Sequence, residues 1–338
     1  ALLRDRLPGG YEIWRAGHLA LALALVGLLL SHVLTDTRGA RGWASPWWIV
    51  FCIAAIAPGV WGYARRLLGR SGEGWSVRRV RRVADGLWQM TVVGRPGQAL
   101  DFRAGQFAWL AIGRHRMPLF DHPFSIASPP RDAAELRFLI REAGDFTRQI
   151  GSVAPGTRVG LDAPHGSFGL EAEDDGPLLL IAGGVGLAPI LSILGELAGR
   201  EREAGLRLIY AVRSPDALVD EAIWQPALSA AGGSSLLLAD RPGDAEGIEQ
   251  GPLTEQHLQR MLEGWEPSQV TALLCGPDGM MTWASNRLED LGLDPRRIRY
   301  ERFDYSSSRL SRRDRRYLRA FIGLWIGCLL VTLIAAFT

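Results

Sequence analysis

At 338 residues with 47% apolar side chains, the chain is long enough for two or three structural units and too long for a single small module. All 38 basic positions are arginine, set against 36 acidic residues for a net charge of +2; many arginines flank apolar runs, which points to membrane patterning and away from a nucleic-acid footprint. Of three cysteines, Cys52 and Cys328 lie inside apolar runs and Cys275 precedes Gly-Pro, so neither a disulfide framework nor a zinc site is supported.

Residues 16–34 and 47–64 are apolar runs near the ~20 residues that span hydrocarbon as a helix, the second edged by Trp43, Trp47 and Trp48. Arg4, Arg6 and Arg15 precede the first run, Arg65, Arg66 and Arg70 follow the second, and the connecting loop carries Arg38 and Arg41. The positive-inside rule then predicts a transmembrane hairpin over residues 1–70 that enters and leaves from the cytoplasm. His18 and His32 share nearly one face of the first helix, with an axial separation of about 21 Å. They read either as locally hydrogen-bonded interfacial residues or as one axial ligand for each of two stacked haems. The other four histidines, His115, His122, His165 and His257, fall outside the apolar runs. Opposing haem ligands are therefore expected either from missing upstream helices, the chain then being an N-terminally incomplete portion of a longer membrane protein, or from a partner subunit.

From residue 75 the pattern changes to short alternating strands at Val77–Val83, Leu87–Val93, Phe107–Ile112, Leu136–Arg141 and Val159–Ala163. They are punctuated by Asp85-Gly86, Pro96-Gly97 and Pro155-Gly156. Such spacing predicts a small antiparallel barrel over residues 71–175. Within it, Asp121-His-Pro-Phe-Ser-Ile-Ala-Ser128 has the look of a strand at a sheet edge, where a proline is tolerated. Gly144-Asp-Phe-Thr147 opens an amphipathic turn through Ile150; its backbone N–H groups and hydroxyl are suited to a phosphate.

From Pro177 strand alternates with helix, which predicts a doubly wound parallel sheet over residues 176–305. The strand Leu178–Ala182 runs into Gly183-Gly-Val-Gly-Leu-Ala-Pro189 and a helix to about Gly199. Its glycines allow close backbone approach, and the helix N-terminus favours a pyrophosphate. Further strands are expected at Leu206–Val212, Ser235–Ala239 and Val270–Leu274. Arg213-Ser214 and Cys275-Gly276-Pro277 fall at strand carboxyl ends, where such sheets bind ligands. Arg213 reads either as a clamp on an adenosine 2′-phosphate, which leans towards NADPH, or as a solvated loop charge. A basic linker, Arg309 to Arg319, then precedes a third apolar run over residues 320–338, so residues 306–338 are expected to hold a C-terminal transmembrane helix.

His122-Pro-Phe-Ser125, Gly144-Asp-Phe-Thr147, Gly183-Gly-Val-Gly186, Cys275-Gly-Pro277 and Glu301-Arg-Phe303 stand in the order seen in the ferredoxin-NADP reductase superfamily, which this chain resembles over residues 1 to about 305. More narrowly, Tyr11-Glu-Ile-Trp-Arg15 leading to His18, with His32 after it, resembles the fifth membrane helix of the ferric reductase and NADPH oxidase family. The resemblance implies membrane helices joined to a two-domain module: an antiparallel β-barrel for FAD and a doubly wound α/β domain for NADPH or NADH. It implies that Pro123, Phe124 and Ser125 line the flavin, with Ser125 near the hydride-accepting nitrogen, and that His122 and Arg141 approach the ribose or pyrophosphate. Gly144, Asp145, Phe146 and Thr147 would complete that site. Gly183, Gly184, Val185, Gly186 and Leu187, with Arg213, Ser214, Gly276 and Pro277, would bind the dinucleotide. Cys275 would lie beside the nicotinamide, and Phe303 would stack on the flavin; with Ser125 and Glu301 these are the catalytic candidates.

The function expected is transmembrane electron transfer at the plasma membrane, from cytoplasmic NAD(P)H through FAD and two haems b to an external acceptor. That acceptor is a ferric chelate, dioxygen or a redox protein. Two alternatives stand beside it: a haem-free, membrane-anchored NAD(P)H dehydrogenase reducing quinone or a partner protein, and a non-enzymatic haem-binding subunit. Membrane lipid is an expected partner and nucleic acid is not.

Overall fold

The computed structural model describes residues 74–113, 121–144, 146–172, 174–198, 204–241 and 246–302, with scattered helical positions between residues 17 and 61 and between 312 and 326. His18, His32, Asp145 and Phe303 lie outside the described residues. Among the described residues no helix is long and apolar enough to cross a membrane. Those described within the three apolar runs are helical and expose large side chains, Leu21, Leu25 and Leu28 in the first and Ile322 and Ile326 in the last.

The first unit is a six-stranded antiparallel sheet of β1 (Trp75–Ala84), β2 (Leu87–Val93), β3 (Phe107–Ile112), β4 (His122–Ser125), β5 (Glu135–Arg141) and β6 (Arg158–His165). Its order is β4-β3-β6-β1-β2-β5, so β4 and β5 are the two edges. They meet just past β4: Ile126 bridges Phe138, and Ala127 N–H donates to the Arg137 carbonyl at 2.7 Å. The octet thus begins as an edge strand, as its proline requires, and its last residues close the barrel, which removes both free edges. Met90, Val92, Leu110, Ile126, Phe138 and Ile140 fill the interior.

The second unit is an all-parallel sheet of β7 (Leu178–Gly183), β8 (Leu206–Val212), β9 (Ser234–Ala239), β10 (Ile248–Gln250), β11 (Thr271–Cys275) and β12 (Ile298–Glu301). The order is β10-β9-β8-β7-β11-β12, which puts the topological switch between β7 and β11. Helices α1 (Leu187–Leu197), α2 (Glu221–Ala230), α3 (Glu255–Leu262) and α4 (Asp278–Asp290) accompany it. Every residue of β7 and of β11 is buried, as parallel strands covered on both faces demand. Leu178, Leu180 and Ala182 face one core, and Leu179 and Ile181 the other. Strands β10 and β12 escaped the sequence reading because each is only three or four residues long, too short for a periodicity to stand out.

The core on the α1 side is shared between the units, since Leu87, Ala104, Ala127, Leu139 and Phe168 of the first unit belong to it. At that junction Ser192 Oγ of α1 donates to the Ser128 carbonyl at 2.7 Å, and Arg131 Nη1 donates to the Gly195 carbonyl at 2.6 Å. Gly195 permits this contact: a Cβ there would lie 2.9 Å from Pro129 Cβ. The end of the octet is therefore tied to the helix that follows the glycine loop.

Candidate functional site

Pairing with β3 sets Pro123 opposite Trp109, Ser125 opposite Phe107 and Phe124 opposite Ala108. Because successive strand residues point to opposite faces, Phe124 packs on the barrel core and His122 turns the same way to stack on Phe146, ring centroids 4.2 Å apart. Pro123 and Ser125 point outward. Strand alternation thus sets Phe124 on one face of β4 and Pro123 and Ser125 on the other. Ser125 is buried, and its Oγ has no hydrogen-bond partner. An orphaned buried hydroxyl is costly, which fits a group that receives its partner from a bound ligand.

The Gly144–Thr147 loop is held by its own threonine. Thr147 Oγ1 accepts from the N–H groups of Ala143 and Gly144 at 2.8 and 2.9 Å and leans on the Gly144 carbonyl, so the hydroxyl folds the loop and does not face outward to a phosphate. Local side-chain to backbone bonding of this kind is what threonine does at turns. The following 3-10 turn, Thr147–Ser152, buries Ile150. Arg141 is exposed at the end of β5.

At the switch point the glycine loop and Cys275-Gly276-Pro277 press backbone on backbone. A Cβ on Gly186 would lie 2.1 Å from the Cys275 carbonyl oxygen, and one on Gly183 would lie 2.6 Å from Pro277 Cδ. Two of the motif's glycines, with Gly276 facing them, are thus required by packing. Gly184 alone has φ +54 and open space around its missing Cβ, so the ligand-facing freedom sits there. Val185 is half-buried and Leu187 fully buried, anchoring α1. Arg213 is exposed and Ser214 half-buried at the end of β8; the Arg213 carbonyl accepts from Arg241 N–H at 2.9 Å. Arg241, two residues past β9, is a second arginine whose backbone meets that of the first, and no sequence pattern singled it out.

Cys275 closes β11 and its thiol is wholly buried, among the side chains of the shared core. Within the sheet β11 lies between β7 and β12. Burial, and then the neighbouring Glu301, push its pKa well up, so the thiol is protonated. Glu301 pairs in register with Cys275, and burial pushes its pKa up to about 7. The Glu301 carboxylate also approaches the barrel, its Oε2 lying 3.8 Å from where a Gly166 Cβ would stand. Phe107 and His165 lie next to it on the barrel side, ring centroids 5.7 Å apart. Glu301 therefore links the β11 end at Cys275 to the barrel at Gly166, beside Phe107, the strand partner of Ser125. The sequence also missed Arg299, whose guanidinium donates to Asp174 at 2.5 and 3.0 Å and to the Gly169 carbonyl at 3.1 Å, riveting β12 to the connection between the units.

An antiparallel barrel followed by a parallel nucleotide sheet, with a glycine loop at the switch point, defines a two-domain flavin and pyridine-nucleotide module. Residues 74–163 match an FAD-binding domain, and residues 180–286 match the oxidoreductase NAD-binding domain. The two matches in this order place the chain in the ferredoxin-NADP reductase superfamily. The chain is 29% identical to the 2-halobenzoate 1,2-dioxygenase electron transfer component of Burkholderia cepacia over 64% of this chain, and it spans 62% of that relative's length. It is 29% identical to the toluate 1,2-dioxygenase electron transfer component of Pseudomonas putida, over 70% of this chain and 69% of that one. Among solved structures, the Amycolatopsis cytochrome P450 reductase shares the fold, with a TM-score of 0.61 and 23% identity over 69% of this chain and 70% of that one.

Proposed function

We propose that the chain is the reductase of an electron-transfer system, taking hydride from NAD(P)H and passing single electrons onward. The observation that carries this reading is the buried, unpartnered Ser125 hydroxyl at the end of β4, in a chain whose β7 and β11 loops press backbone on backbone at the switch point of the parallel sheet. The residues fit FAD: Ser125 offers a buried hydroxyl without a partner at the end of β4. When bound, FAD supplies the exchange between two-electron and one-electron transfer. The chain's own part is to bind the dinucleotide over Gly184 and the start of α1, to present Arg213 and Arg241 towards its adenosine end, and to hold a proton at Glu301. Anaerobic titration of the FAD-loaded protein with NADH and with NADPH tests this directly. Bleaching of the flavin absorbance is the expected result, and failure of both nucleotides to bleach it would overturn the reading.

Glu301 gives the reaction a pH signature. Its folded pKa of about 7 lies above the ordinary 4.5, so its proton is present below neutrality and lost as pH rises through 7. The rate of flavin reduction is expected to fall as pH rises across that value, whereas Glu301→Gln is expected to give a flat profile. An unchanged inflection in Glu301→Gln would assign the titration elsewhere.

For the acceptor, we propose membrane haems held by His18 and His32, with the reductase units on the cytoplasmic side of the plasma membrane. The fourteen-residue spacing of His18 and His32, which puts both on nearly one helix face about 21 Å apart, supports this reading. The names of the relatives support a second reading, in which electrons pass to a partner oxygenase component. Haem content of the full-length protein carrying His18→Ala or His32→Ala separates the two: loss of haem supports the relay, and unchanged haem in both variants removes it.

A further inference from the structure

Helix α4 ends on Asn286, Glu289 and Asp290, spaced i, i+3 and i+4 and therefore on one face. Two carboxylates in a last turn oppose the negative end of the helix dipole, a placement that calls for cations from elsewhere. Arg287 of the same turn supplies one, pairing with Asp290 at 3.3 Å, and the others come from the chain beyond β12. Arg312 donates its backbone N–H to Asn286 Oδ1 at 2.9 Å and pairs its guanidinium with Asp290; Arg316 Nη2 donates to Glu289 Oε2 at 2.7 Å. The described residues from Arg312 to Ile326 are helical, so Arg312 and Arg316 stand one turn apart on a shared face. At the opposite end of α4, Arg302 Nε lies 4.0 Å from Asp278 Oδ1, with side-chain exposures of only 11% and 10%. The chain after β12 is thus held at both ends of a 13-residue helix, about 20 Å apart at 1.5 Å per residue.

We propose that this chain's basic C-terminal segment is the ligand of the α4 face, and that Arg302, Arg312 and Arg316 anchor a strap docking the C-terminal helix on the nucleotide-binding unit. Strap and helix both begin at the site: the strap leaves β12 at Glu301, and α4 follows the Cys275-Gly276-Pro277 loop. The docking therefore fixes the outer wall of the site relative to the C-terminal helix. Beyond the anchors, Ile322 and Ile326, one turn apart, are 47% and 53% exposed, so the docked end is ionic and the free end apolar. This inference does not depend on the reaction proposed above.

Hydrogen-deuterium exchange on the full-length protein tests it. Arg312→Glu with Arg316→Glu, and separately Glu289→Arg with Asp290→Arg, are each expected to speed amide exchange across residues 312–319 about five- to tenfold, the size set by two exposed pairs and one hydrogen bond. Combining all four changes restores opposite charges and is expected to return exchange to within about twofold of the unaltered protein. Molar salt is expected to loosen the unaltered strap in the same way. A milder arm, Arg312→Gln with Arg316→Gln, removes the charges without reversing them. Unchanged exchange in the reversed variants, or a fourfold variant faster than either double variant, would overturn the docking.

Discussion

Replacing Arg299 by Leu is expected to destabilise the fold by about 3–5 kcal/mol, the range for stranding one partner of a buried ion pair. Asp174 is 3% exposed and Arg299 14%, and the carboxylate also accepts from Thr271 Oγ1 at 2.9 Å and from Glu171 N–H at 2.7 Å. Burial alone would raise the Asp174 pKa, but the Arg299 guanidinium and these hydrogen bonds outweigh it and hold the carboxyl below its ordinary 3.8. The sign of the pH dependence follows. A depressed folded pKa contributes stability that is present above 3.8 and lost as pH falls through the lower folded value. Without Arg299 the balance inverts, because burial then favours the protonated acid. Urea denaturation should show the full loss near pH 7 and a smaller one near pH 4. A loss of equal size at both would mean that the arginine acts through packing and not through the carboxylate.

Substituting Gly186 by Ala is expected to cost about 2–3 kcal/mol, the upper part of the range for overpacking, and to weaken dinucleotide binding at least tenfold. Its φ of −59 suits any residue, so backbone freedom is not what it supplies. What forbids a side chain is the Cys275 carbonyl at 2.1 Å and the Gly276 nitrogen at 2.8 Å, both main-chain atoms of a strand end with little room to move. Gly184→Ala is the matched control. There φ is +54 and nothing lies within 4 Å, so the change carries only the left-handed strain of about 1–2 kcal/mol. Thermal denaturation and nucleotide titration of both variants would decide the matter. A larger loss at Gly184 would show that ligand approach, and not contact between the β7 and β11 loops, accounts for the glycine run.

These two expectations separate what was legible in the chain from what was not. The strands Leu87–Val93, Phe107–Ile112 and Leu206–Val212 were readable to the residue, because apolar periodicity and flanking turn residues act over a few neighbours. The unbroken apolar run of β7 likewise announced a strand covered on both faces. The glycine loop was legible as a loop, yet the reason for each glycine was not, since Cys275 lies 89 positions beyond Gly186 in the sequence. Nor did the sequence reveal that Thr147 Oγ1 accepts from the N–H groups of Ala143 and Gly144 in its own loop.

By itself the sequence determined an antiparallel unit followed by a parallel one, the order of the motifs, and the apolar runs that flank them, all of which depend on local spacing. Only the tertiary structure decided which face of β4 each residue of His122–Ser125 presents, that its continuation closes the barrel, and that Ser128 is tied to Ser192. It alone brought Asp174 to Arg299, 125 residues apart, and the α4 carboxylates to Arg312 and Arg316. The physical reason is common to all of these. Strand and turn preferences are settled among adjacent residues, whereas the partner of a buried polar group is set by how whole elements pack, and residues far apart in the chain carry no mutual periodicity to reveal it.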